Sequence, residues 1–241
     1  MKLDDLLDEL VTANRILATE GIVDSFGHVS VRHPDKPEHY LLSRARAPDC
    51  IEVEDIMEFA LDGTPVDARN RKPYLERFIH GAIYEARPDV VSVVHNHSPS
   101  VIPFGVTGKK LKPLLHMCAS IGHEVGVWDS HDKFGDTSLL VANMEMGRDL
   151  ARFLGPNRTA LMRGHGSVVV GTSIRHAVFV ANYLEVGAKL QMQATSLGEI
   201  NFLSKGEVDI IIARTGSYTI NRAWENWCRR AGRPVRNMDE S

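Results

Sequence analysis

VSVVHNHSPSVIPFGV, residues 91–106, is the stretch from which the rest of the chain can be read. A short run of apolar and small residues, Val91 to Val94, leads directly into His95-Asn96-His97. Alternation with a period of two predicts a β-strand. Side chains on a strand alternate between its faces, so His95 and His97 share a face. Two imidazoles on one face at a strand exit make a chelating pair. A lone histidine there would more simply cap the strand end against backbone.

A metal site needs a third donor. TALMRGHGSVVVG, residues 159–171, supplies a candidate: a short apolar run ends in Gly164-His165-Gly166, and a second apolar run follows. The flanking glycines allow positive φ and close backbone approach, which presents His165 at a strand end. A carboxylate precedes the histidine pair. Glu76 falls in the first turn of YLERFIHGAIYEAR, residues 74–87, where Leu75, Phe78, Ile79, Ala82, Ile83 and Ala86 have helical spacing. Helix, a Pro88-Asp89 turn and a strand would bring the chain back past the start of that helix, toward Glu76.

These residues carry a resemblance. YLERFIHGAIYEARPDVVSVVHNHS with a later Gly-His-Gly is similar to the class II aldolase/adducin family, from about residue 5 to about residue 225. The resemblance implies His95, His97 and His165 as ligands of a catalytic divalent metal and Glu76 as an acid/base carboxylate. It also implies a single-domain α/β/α sandwich with a central, mostly antiparallel sheet, spanning residues 1–241, and a homotetramer with residues 205–241 at a subunit interface. Three histidines with open coordination positions suit Mn²⁺, Zn²⁺, Fe²⁺ or Co²⁺.

Composition is consistent with such an enzyme and removes several other classes. The chain has 241 residues, 43% hydrophobic and 24% charged, enough for one large domain. A net charge of −3 provides no basic footprint for nucleic acid. No apolar run has transmembrane length, and the acidic, amphipathic start MKLDDLLDEL is not a secretory signal. Cys50, Cys118 and Cys228 form no disulfide framework, which predicts a reducing cytoplasm.

In chain order, residues 3–19 read as a helix with Leu3, Leu6, Leu7, Leu10 and Leu17 on one stripe. Strands follow at His28–Arg32 and in HYLLSRARAP, then a strand closed by an Asp62-Gly63 turn. Ser138 to Leu154 read as a helix stopped by Gly155-Pro156, and residues 173–198 as a long helix with Ala177, Val180, Ala181, Leu184 and Ala188 buried. The last forty or so residues are mixed and basic, with Trp224 and Trp227 read as packing or interface residues. His33, His39, His80, His123, His131 and His176 read as surface or core histidines without a partner.

Departures from the family's sugar-phosphate pattern point to the reaction. The places of its phosphate-binding residues hold Gly27-His28, Ser43-Arg44 and Tyr74-Leu75, so two short hydroxyls have become an aromatic and an aliphatic side chain. Arg44 and Arg46 stand there instead, and a guanidinium matches a planar carboxylate. His116 occupies the neighbourhood of a proton-donating tyrosine and is read as a substitute acid/base or a core residue. The pattern resembles the decarboxylase branch, whose substrates are carboxylated hydroxy-aromatics such as 3-hydroxy-2-methylpyridine-4,5-dicarboxylate of vitamin B6 breakdown. Ser43, His28, Arg44, Arg46, Arg214 and Arg222 are the candidate substrate-binding residues. A sugar-phosphate aldolase or epimerase and a non-catalytic adducin-like binding module are the competing readings.

Overall fold

Period-two patterning builds the sheet. In β1 (His28–Arg32), Val29 and Val31 enter one apolar core, which leaves His28 and Ser30 on the opposite side. The same split runs through β2 (His39–Ser43), where Leu41 faces that core while Tyr40 and Leu42 face a second one. With β3 (Ile56–Ala60), β4 (Ser92–Asn96), β5 (Gly126–Trp128), β6 (Thr159–Met162) and β7 (Gly166–Gly171), they form one seven-stranded sheet in the order β3-β2-β1-β4-β7-β6-β5. Every pairing is antiparallel except β5 with β6. These coordinates, a computed structural model, describe residues 2–236.

Helices cover both faces. On one side lie α1 (Leu3–Thr19), α6 (Ile174–Thr195) and α8 (Ser217–Arg230), joined through Leu10, Ile16, Phe179, Leu184, Trp224 and Trp227. On the other lie α2 (Arg77–Ala86) and α5 (Met144–Leu154), packed through Ile79, Ile83, Leu150 and Leu154. Short helices α3 (Ile102–Val106) and α4 (His131–Phe134) and the longer α7 (Lys205–Arg214) complete the set. This is the expected α/β/α sandwich with a mostly antiparallel sheet. No described helix is long and apolar enough to cross a membrane.

Two expectations need correction. The helix predicted over Ser138–Leu154 begins at Met144, because the Asn143 side chain accepts a hydrogen bond from the Met146 amide and caps it there. The preceding residues run irregularly toward Glu76. The helix predicted over residues 74–87 begins at Arg77, and its buried face is rotated from the apolar stripe: His80 and Tyr84 are buried, whereas Leu75 is 51% exposed and Ala86 lies on the surface. Polar His80 and Tyr84 face the sheet because β1 offers them hydrogen-bond partners. The C-terminal stretch forms α7, capped by the Ser204–Glu207 box, and α8, with Trp224 and Trp227 buried in the α1/α6 layer. Residues 237–241 of the segment assigned to a subunit interface, and Met1, lie outside the described residues.

The close crossing of α2 and α5 positions the start of α2. A Cβ on Gly147 would meet the Phe78 carbonyl oxygen at 2.5 Å and the Ala82 methyl at 3.0 Å. Gly147→Ala is therefore expected to push the helices apart at a cost of about 1–3 kcal/mol. Chemical denaturation measures it, and an unchanged midpoint would show that the crossing tolerates a methyl.

Candidate active site

Four side chains from separate parts of the chain converge at the end of the central strands. The pairing of β4 with β7 sets His95 opposite Val168 and Asn96 opposite Ser167, so the exit of β4 lies beside the β6–β7 turn that carries His165. Gly164 adopts φ +65°, and a Cβ on Gly166 would collide with the Asn96 carbonyl oxygen. Both glycines are thus required for this approach, as their pattern suggested. Glu76 caps α2, and its Oε1 accepts from the Val141 amide at 3.0 Å, which ties it to the irregular segment before α5.

The donor atoms form one cluster. One ligand atom each from Glu76, His95, His97 and His165 lies within 4.8 Å of every other. Oε2 of Glu76 is 3.5 Å from Nε2 of both His95 and His165. That is long for a hydrogen bond. It matches the spacing of two donors held tetrahedrally at about 2.1 Å from one cation, which is about 3.4 Å.

Nε2 of His95, His97 and His165 are all buried without a hydrogen-bond partner among the described residues. Leaving such atoms unsatisfied costs on the order of 1–3 kcal/mol each, and one divalent cation relieves all three. Nδ1 of His95 lies 3.1 Å from the Ser167 carbonyl oxygen and donates to it, which turns the Nε2 lone pair toward the cluster.

Electrostatics agree with a ligand set. Burial pushes the His97 imidazole down to about 4, helped by His95 and His165, so it is neutral and able to coordinate near pH 7. Burial alone would raise the Glu76 carboxyl, but His95 and His165 outweigh it and hold it far below the ordinary carboxylate range.

Beside this cluster sits a second group. His28 is the cross-strand partner of His95, so their rings share a face, 5.1 Å apart. The Tyr74 ring packs 4.5 Å from His28, and its hydroxyl donates to the Arg46 carbonyl. Arg44 and Arg46 both pair with Asp55, Arg46 at 2.6 Å. Buried Ser43 lies at the end of β2.

His116 begins a 3-10 turn, is exposed, and has its Nδ1 3.3 Å from Met117 Sδ. Arg214 ends α7, and Arg222 is exposed on α8. Among the described residues, none of these three contacts the histidine cluster within the protomer. The structure also gives partners to histidines that the sequence left without one. His39 pairs with Glu58 and His123 with Asp209, while His80 bonds to His28 and Ser30. Asp55, His80, Ser30 and Tyr84 are the site residues that sequence reading missed. The four-residue spacing of Glu76, His80 and Tyr84 was the available signal for two of them.

The fold and this donor set define a class of protein, and comparison with known sequences agrees. Residues 8–192 match the Class II Aldolase and Adducin N-terminal domain, and the chain belongs to that family. Decarboxylase tropJ of Talaromyces stipitatus is 33% identical over 243 residues, covering 91% of both chains. A 3,4-dihydroxyphthalate decarboxylase of Arthrobacter keyseri is 27% identical over 235 residues, again with 91% of each covered. Among solved structures, an L-fuculose 1-phosphate aldolase from Glaciozyma antarctica superposes with a TM-score of 0.76 at 25% identity, over 96% of this chain and 92% of that one. The chain is an enzyme, a lyase of the decarboxylase branch of this family.

Replacing His97 with Ala should empty the cation site, measured by metal analysis of purified protein, while the fold persists. Glu76→Gln should keep the metal and lower turnover by about 10²–10⁴-fold, the usual worth of a positioned proton-transfer group. Stoichiometric metal in His97→Ala, or near-normal turnover in Glu76→Gln, overturns the respective assignment.

Proposed function

We propose that the enzyme removes a carboxylate from a hydroxylated aromatic dicarboxylate. Its substrate is a 3-hydroxypyridine-4,5-dicarboxylate of the B6-breakdown type or a benzene counterpart such as a dihydroxyphthalate. The observation that carries this reading is the composition of the wall beside the metal ligands. An aromatic ring, Tyr74, lies against His28, and its hydroxyl bonds to the backbone of Arg46. Arg44 and Arg46 side chains, 38% and 37% exposed, share the single carboxylate of Asp55. Two guanidiniums against one carboxylate leave one net positive charge and several free N–H donors. A flat wall with spare guanidinium donors suits a planar ring with a carboxylate at its edge. A phosphate dianion instead requires converging amides and short hydroxyls. The named decarboxylases covering most of the chain support the same choice.

A divalent cation on His95, His97, His165 and Glu76, Mn²⁺ being our preferred identity, would supply the Lewis acidity that stabilises charge on a ring oxygen next to the departing carboxylate. The protein's own groups do the rest. Glu76, ionised in the free enzyme, takes the proton of the entering ring hydroxyl. The ring–carboxylate bond then breaks, its electron pair stays with the ring, and Glu76 returns the proton to the vacated carbon. Tyr74 holds the ring plane, and Arg44 or Arg46 pairs with the remote carboxylate.

His116, Arg214 and Arg222 can contribute only if a neighbouring protomer brings them to the site, since none reaches its own. This accords with a homotetramer whose interface includes α7 and α8, where Ile210 and Tyr218 are 58% and 80% exposed. Three free thiols support a cytoplasmic setting.

Assayed against hydroxylated aromatic dicarboxylates and sugar phosphates, the enzyme should release CO₂ from the former and no aldehyde from the latter. Asp55→Asn, which frees both guanidiniums from their anchor, should raise KM for the dicarboxylate tenfold or more with metal content unchanged. Aldehyde release, or inhibition by inorganic phosphate at low micromolar levels, restores the aldolase reading. For the assembly, sedimentation of the active enzyme should show a tetramer, and a fully active monomer would contradict it.

A further inference from the structure

Behind His28 runs a buried line of polar groups that the reaction above does not use. Nδ1 of His28 lies 2.6 Å from Nε2 of His80, and Nδ1 of His80 lies 2.6 Å from Oγ of Ser30. Oγ of Ser30 is 2.7 Å from the Tyr84 hydroxyl, which donates to the Val91 carbonyl oxygen at 3.4 Å. All four side chains are buried: His28 is 3% exposed, Ser30 and His80 0%, and Tyr84 1%. Ser30 and His28 alternate on β1, and His80 and Tyr84 are four residues apart on α2, so each pair faces the other.

The end of the line gives it a direction. The Tyr84 hydroxyl has two contacts, Ser30 Oγ at 2.7 Å and the Val91 carbonyl at 3.4 Å; a carbonyl only accepts, so the line is ordered outward from His28 when Tyr84 donates to Val91. The Tyr84 oxygen then accepts from Ser30, and Ser30 in turn accepts from Nδ1–H of His80. A neutral imidazole has one N–H, so Nε2 of His80 is a lone pair and accepts from Nδ1–H of His28. Burial pushes His80 down to about 3, so its ring is neutral, and the 2.6 Å approach of the two nitrogens leaves room for a single proton between His80 and His28. Nε2 of His28 is left unprotonated. It is turned away from His80, has no hydrogen-bond partner among the described residues, and belongs to a ring flanked by Tyr74 and the metal-ligating His95.

We propose that His80 is a positioning residue. With Ser30 and Tyr84 behind it, it locks His28 in the Nδ1-protonated tautomer, so that His28 offers the substrate a hydrogen-bond acceptor matched to a ring hydroxyl other than the one Glu76 deprotonates. The identity of the donor rests on the decarboxylase reading; the direction of the chain does not. An acceptor-only group here favours a ring carrying a free O–H at that edge over its methyl ether, because the ether leaves the Nε2 lone pair desolvated and unpaired.

¹⁵N spectra of histidine-labelled, Zn²⁺-loaded enzyme without substrate test the direction. His28 and His80 should each show a protonated Nδ1 and a bare Nε2, and protonated Nε2 on both rings overturns the proposal. Tyr84→Phe removes the hydroxyl that orients the line. It should redistribute the His28 tautomers and lower kcat/KM at least threefold without loss of metal.

His80→Gln preserves the order, since its carbonyl accepts from His28 and its amide donates to Ser30. It should retain at least tenfold more activity than His80→Leu, with the loss in His80→Leu appearing in KM and kcat while Zn²⁺ stays bound. Unaltered tautomers in Tyr84→Phe, or equal activity of the two His80 variants, refutes the positioning role. Because the spectra are recorded without substrate, a failed decarboxylation assay leaves this result standing, and a wrong tautomer leaves CO₂ release untouched.

Discussion

Three imidazole lone pairs pointing at one place, with a carboxylate opposite, cannot be left dry. Each Nε2 is buried and, among the described residues, has no hydrogen-bond partner. This constraint explains why the β4–β7 pairing sits at the centre of the sheet and why glycines flank His165. A Cβ on Gly166 would strike the Asn96 carbonyl, so the two strand ends meet only because that side chain is absent. It also explains why the loop before α5 runs past Glu76 and gives it an amide donor.

Helix α2 ties this cluster to the rest of the sandwich. Glu76, His80 and Tyr84 are spaced by four from the start of that helix, and each meets a different partner: the His95 and His165 imidazoles, the His28 imidazole and the Ser30 hydroxyl. One helix therefore sets both the carboxylate beside the histidine cluster and the polar line behind His28. Its close crossing with α5 through Gly147 keeps that stripe in register with β1 and β4.

On the substrate side, Asp55 has a comparable role. Its two oxygens are divided between Arg44 and Arg46, while the Arg44 amide donates to its backbone carbonyl at 2.7 Å. Holding two long cations in place reduces the rotamer entropy lost when a carboxylate binds. Two guanidiniums on one carboxylate give this wall a residual positive charge.

Local patterns along the chain carried much of this. The strand leading into His95 and His97 and the glycine-flanked His165 were legible, because they depend on a period of two and on glycine's freedom at one position, while the sandwich class came from the family resemblance. The separate bounds of α7 and α8 were not read, although Trp224, Trp227 and Cys228 mark the buried face of α8. His80 looked like a core histidine, Asp55 went unnoticed, and Ser138 looked helical. Their roles come from pairings between residues far apart in the chain: β1 beside β4 brings His28 to His95, α2 over β1 brings His80 to Ser30, and the turn before β3 brings Asp55 to Arg44. Periodicity shows which face a residue occupies, but sheet order sets what lies across from it, and hydrogen-bond direction in a buried line emerges only once every partner is in place.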